Sequence, residues 1–141
     1  MKSILRMMPL AALLFAPVAV ADGKDESDEC LRTKIWEGYS EGWAVRTATN
    51  TSLAAGEHKI YLVTLYAGNK YQFVVCGDSA SLDIDLALHD ATGVVKAHDD
   101  TDTKEPVVTF TPDKTDTYYV AVYAQSVQGD TSNVAMAVTY Q

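Results

Sequence analysis

Asp83, Asp85 and His89 alternate through Leu82-Asp83-Ile84-Asp85-Leu86-Ala87-Leu88-His89, so an extended chain turns all three to one side. Asp99, Asp100 and Asp102 crowd the segment that follows. Hard oxygen donors of this kind suit Ca²⁺, which takes about six to eight of them at roughly 2.3–2.6 Å. Asp83, Asp85, Asp99 and Asp100 are the candidate ligands, and Asp25, Asp28 and Glu29 offer further oxygens nearer the N-terminus. The competing reading is a solvated acidic turn whose Asp side chains cap backbone amides. Beyond this one ion the sequence implies no cofactor.

Gly77-Asp78-Ser79 has the look of the nucleophile block of an esterase, but a serine nucleophile needs a base, and no histidine follows His98. A Gly-x-Ser-x-Gly elbow is missing as well, so the tripeptide reads as a turn. His58, His89 and His98 fit no zinc spacing such as H-E-x-x-H, and there is no phosphate loop or dinucleotide fingerprint. The expectation is a protein without catalytic residues.

The N-terminus sets the compartment. Lys2 and Arg6 precede an apolar run from Met7 to Val20 that ends in Ala19-Val20-Ala21, the layout of a signal peptide cleaved after Ala21. Proline at positions 9 and 17 interrupts the run, and a membrane anchor needs about 20 consecutive apolar residues. The expected product is periplasmic or secreted and not membrane-embedded. Loss of Lys2 and Arg6 takes the formal charge from −8 to −10, which disfavours nucleic acid and favours a cationic protein partner or a cation. Cys30 and Cys76 are the only cysteines and are not in a C-x-x-C arrangement, so in an oxidising compartment they read as one disulfide. A loop of this length gives a stabilisation of up to about 4 kcal/mol by chain entropy.

The elements that must position these residues are short strands. Residues 60–65, 71–75, 82–88, 107–110, 118–123 and 134–140 are rich in β-branched and aromatic side chains, and Gly, Asn, Asp and Pro punctuate them. Leu82, Ile84, Leu86 and Leu88 share the core face of one strand; Val134, Met136, Val138 and Tyr140 do so in the last, opposite small or polar Ala135, Ala137 and Thr139. In Tyr118–Tyr123, Tyr119 and Tyr123 lie on one face and Tyr118 on the other, and exposed rings of this kind are rigid contact surface for a partner. The pattern predicts an all-β, antiparallel sandwich of about eight strands in one domain over residues 30–141. Residues 22–29 are acidic without an apolar face and read as a flexible leader. Residues 31–43 are broken by Gly38 and Gly42 and read as cover for one end of the sandwich.

Several stretches occur in a suggestive order: Leu53-Ala54-Ala55-Gly56-Glu57-His58-Lys59-Ile60-Tyr61, Gly68-Asn69-Lys70-Tyr71-Gln72-Phe73, and Asp83 to Gly93. After them come Asp99-Asp100, Val108-Thr109-Phe110-Thr111-Pro112 and Tyr118 to Val122. Over about 90 residues this succession resembles the bacterial pre-peptidase C-terminal domain family, related in fold to the collagen-binding domains of clostridial collagenases. The resemblance implies a jelly-roll-like β-sandwich, non-catalytic and usually appended to secreted hydrolases. A free-standing member is expected to act in trans. The chain is also similar to the periplasmic inhibitors of invertebrate-type (i-type) lysozymes, which place a Ser-Gly-x-Tyr loop in the enzyme cleft. Thr115-Asp116-Thr117-Tyr118 is the matching segment, with Asp116 where the motif has glycine. The resemblance thus implies inhibition of a lysozyme or another cationic hydrolase through Thr115, Asp116, Thr117 and Tyr118. Two alternatives stay open, a turn that merely precedes a core strand and a calcium-stabilised structural or adhesion module.

Overall fold

The computed structural model describes residues 22–141; the expected signal segment lies outside the described residues. The helix α1 (Gly23–Ser40) comes first, followed by β1 (Ala44–Leu53), β2 (His58–Leu65), β3 (Tyr71–Gly77), β4 (Ser81–His89), β5 (Val95–Asp99), β6 (Val107–Phe110), β7 (Asp116–Val127) and β8 (Ser132–Tyr140). Two four-stranded antiparallel sheets, ordered β1-β8-β3-β6 and β2-β7-β4-β5, form the sandwich expected from the alternation. Phe73, Val75, Ile84, Leu86, Leu88, Val120, Val122, Val134 and Val138 fill the space between them, each at most 1 % exposed. Leu82, expected in that core, is half exposed because the β4–β7 register shifts on both sides of Asp83.

The acidic segment expected as a leader is helical, since residues from Gly23 onward are the first turns of α1. Asp22 caps the helix by accepting from the Asp25 N–H at 2.8 Å, Asp25 and Glu26 sit where the helix dipole favours negative charge, and Lys24 pairs with Asp28 at 2.9 Å. Gly42 (φ +93°) ends it: the Trp43 N–H reaches the Gly38 carbonyl and the Gly42 N–H that of Tyr39, a Schellman closure. Composition concealed the helix because it touches the sheet with few residues. Ser27 and Leu31 are buried, and Cys30 forms the predicted disulfide to Cys76 of β3.

That contact explains an anomaly in the strands under it. In β3 and β8, Val74, Cys76, Ala135 and Ala137 face away from the main core yet are buried, forming a second small core with Leu31. The small residues opposite the core face of β8 make room for α1. The outer face of the other sheet has no such cover among the described residues. It carries Ile60, Leu62, Tyr119 and Tyr123 together with all three histidines, His58, His89 and His98, which sit opposite Tyr123, Tyr119 and Ala87 across the strand pairs.

Candidate functional site

The chain's connections gather at two ends of the sandwich. One end collects the residue 41–43 link, the β2–β3 turn 66–70, the β4–β5 turn 90–94, the β6–β7 link 111–115 and Gln141. The other collects 54–57, 78–80, 100–106 and 128–131, with the start of α1.

Thr115 to Tyr118 lie at the first end but form no projecting finger. Strand β7 begins at Asp116, which pairs with Leu65, and Tyr118 is only 4 % exposed, packed edge-on against Phe110 with 5.4 Å between ring centres. The Thr115 hydroxyl accepts the Ala67 N–H at 3.0 Å and so ties the β6–β7 link to the β2–β3 turn. Asp113, Lys114 and Thr115 are the exposed part of the segment, Asp116 and Thr117 are half-buried, and Tyr118 is buried. Tyr118 keeps its edge on a cleft of about 380 Å³ lined also by Asp90, Lys96, Phe110, Asp113, Lys114 and Asp116. Desolvation, then the charges of Asp116, Asp90 and Asp113, push its phenol above the ordinary tyrosine value.

Sequence reasoning passed over a second cleft at the same end. It holds about 260 Å³ between Arg46, Tyr66, Asn69, Tyr71 and Tyr140. The Arg46 guanidinium lies 5.5 Å from the Tyr66 ring centre and donates to the Thr64 carbonyl, while Lys70 lies 5.5 Å from the ring centre of Trp43. The Tyr71 ring is buried, and its hydroxyl accepts from the Tyr66 N–H at 2.9 Å and from Asn69 Nδ2 at 3.3 Å. Trp36 (72 % exposed) and Tyr39 (69 %) form an edge-on pair on the last turns of α1, which run toward this end. A tryptophan and a tyrosine three residues apart, outside the small core that holds Leu31 and Ile35, were the available signal.

The candidate calcium ligands belong to the opposite end. Asp83 and Asp85 stand next to each other on the outer face of β4, each with one carboxylate oxygen buried and without a hydrogen-bond partner. Burial first, then Asp83, Asp100 and Asp99, raise the Asp85 pKa. Burial acts on Asp99 in the same direction, but hydrogen bonds from the Thr101 hydroxyl, the Val107 N–H and the Thr101 N–H hold it below its ordinary value. Among the described residues, the one group of three metal-ligating side chains whose donor atoms all lie within 4.8 Å of one another is Cys30, Cys76 and Glu105, and two of these are joined in the disulfide. Asp83, Asp85, Asp99 and Asp100 supply no such three-donor group among the described residues, although Asp83, Asp99 and Asp100 lie close enough to act on Asp85.

Asp78, in the same acidic end, is 4 % exposed and organises it. One carboxylate oxygen accepts from the Ala80 and Ser81 N–H groups at 3.0 and 3.1 Å, the other from the Asn133 N–H at 2.8 Å. Gly23 packs so closely on this carboxylate that an added Cβ would overlap it, which is how the start of α1 is seated. Ser79 donates to Glu26 at 3.1 Å, and the histidines stand on an outer sheet face, so no serine–imidazole pair forms.

No family model matches the sequence, and no curated protein matches it either. Solved structures share its fold. The pre-peptidase C-terminal domain of a collagenase from Bacillus anthracis superposes with a TM-score of 0.53 at 16 % identity, over 67 % of this chain and 89 % of that one. A periplasmic inhibitor of g-type lysozyme from Aeromonas hydrophila superposes with a TM-score of 0.51 at 14 % identity, over 70 % of this chain and 88 % of that one. The likeness is one of fold, and it matches the architecture that the residue pattern from Leu53 onward implied. Among the described residues no helix is long and apolar enough to cross a membrane.

Proposed function

We propose that the chain is an exported, non-catalytic domain that binds another protein, and that in its sharpest form it inhibits a cationic hydrolase such as a lysozyme, of the invertebrate (i) type or the g type. The observation that carries this reading is the sandwich shared with a periplasmic inhibitor of g-type lysozyme. The expected charge of −10 after export supports a cationic partner, with association that slows as salt rises. The end bearing Asp113, Lys114, Thr115 and the exposed aromatic rings is the contact surface in this reading, in place of an inserted Tyr118.

Inhibition assays against lysozymes of the chicken, invertebrate and goose types, at low and high salt, test it. Inhibition of at least one type is expected, weakened when Asp113, Lys114 and Thr115 are replaced together by alanine. Failure against every type would sink the inhibitory form. Likeness to the collagenase domain supports a second reading, a structural or adhesion module. Its calcium-stabilised form requires a chelator to lower the melting temperature, and an unchanged melt removes it.

A further inference from the structure

The acidic composition makes one cation conspicuous. The sequence has 19 carboxylate side chains against 11 Lys and Arg, yet among the described residues the ion pairs are Lys24 with Asp28 and Lys34 with Glu105. Among the described residues Arg46 has no carboxylate partner. It is held by the Tyr66 ring and the Thr64 carbonyl, and its other N–H groups have no acceptor among the described residues.

In the same cleft lining, the Tyr71 hydroxyl accepts from the Tyr66 N–H and Asn69 Nδ2, and among the described residues no acceptor takes its own proton. The cleft thus offers a charged donor and a neutral donor between two aromatic walls, Tyr66 (51 % exposed) and Tyr140 (39 %), in about 260 Å³. A guanidinium and a phenol in the lining of one cleft suit a two-oxygen anion, and the volume suits one short side chain.

We propose that this cleft is a carboxylate-binding subsite that receives an acidic side chain of the partner protein. It rests on the protein-binding reading above for the nature of its occupant, and charge complementarity with Arg46 argues the acidic head group. The two charge signs then have separate roles. The acidic body attracts a cationic protein from a distance, and the positive cleft engages a carboxylate at contact. A glycoside hydrolase presents such groups, since it works with a pair of carboxylates flanking its substrate.

The test is NMR titration of the full mature chain with N-acetyl-glutamate methylamide, its glutamine counterpart and free acetate. Glutamate should shift the backbone amides of Arg46, Tyr66 and Asn69 saturably, with the glutamine form at least about tenfold weaker, as expected when a charge-assisted hydrogen bond is replaced by a neutral one. Arg46→Gln should abolish the glutamate shifts while the remaining spectrum keeps its dispersion. Tyr71→Phe, which keeps the ring that fills the core, should weaken them. Equal binding of the glutamine form, or an unaltered titration in Arg46→Gln, overturns the subsite. Acetate binding at the cleft with no binding of the blocked glutamate overturns the side-chain occupant in favour of a free carboxylate. A failed titration leaves lysozyme inhibition standing, and failure against every lysozyme leaves a successful titration standing.

Discussion

The two ends of the sandwich carry the same kinds of connection and spend their polar groups differently. At the acidic end, Glu57, Asp78, Asp100, Asp102, Glu105 and Asp130 face Lys104 alone in the loops, and the best-placed carboxylate is turned inward onto backbone N–H groups. At the aromatic end, Glu41, Asp90 and Asp113 are offset by Lys70 and Lys114, and the cations Arg46 and Lys70 lie on rings with donors left over. Polar groups satisfied within the chain stabilise the fold. Groups left unsatisfied beside exposed aromatic surface are available to something else.

The sharpest way to break this contrast is Asp78→Ala. It strips acceptors from the Ala80, Ser81 and Asn133 N–H groups and unseats Gly23 of α1, so a loss of about 2–4 kcal/mol is expected in denaturant unfolding. A loss below about 0.5 kcal/mol would show that the acidic end is not held by this residue.

Asp85→Asn should act in the opposite direction and more weakly. Its folded pKa is raised, so the folded state binds the proton more tightly than the unfolded chain does. The charged form therefore disfavours folding at neutral pH, and the penalty disappears as pH falls through the raised value. The amide variant should melt higher at pH 7, with the gain shrinking in acid and at high salt, where the repulsion from Asp83, Asp100 and Asp99 is screened. A variant that melts lower at neutral pH contradicts this account.

The smallest effect on stability is expected at the aromatic end. Trp36→Ala and Tyr39→Ala remove rings that are mostly in water, so the melting temperature should move by no more than about 2 °C, while affinity for the partner falls. A large destabilisation would assign these rings to structure instead of contact.

Much of the fold was legible locally. Alternation in β4 and β7 announced which residues face the core, and Tyr118 stands opposite in sense to Tyr119 and Tyr123 as that alternation requires. Strands β1 and β5 were missed because they bury almost nothing. Ala44–Leu53 is largely polar and buries only Leu53, and Val95–Asp99 has no buried residue, so neither carries a strong apolar period. The helix was missed for a related reason: Gly23–Ser40 buries little, and its stability comes from a cap, a disulfide and a seat on Asp78 that lie outside its own pattern.

The candidate site was less legible. Thr115 to Tyr118 were chosen by likeness to a motif, and only packing reveals that Tyr118 belongs to the core. Arg46, Tyr66, Tyr71 and Tyr140 come from β1, the β2–β3 turn, β3 and β8, and nothing in their spacing announces a common cleft.

The sequence by itself determined the period-2 strands, the two-sheet class, the acidic charge and the Cys30–Cys76 pair, because each follows from neighbouring residues or from a count. Only the tertiary structure decided that α1 covers one sheet while the other has no such cover among the described residues, and that Arg46 and Tyr71 line one cleft. Those relations depend on how distant segments pack, and packing is set by the summed fit of many weak contacts that no local pattern encodes.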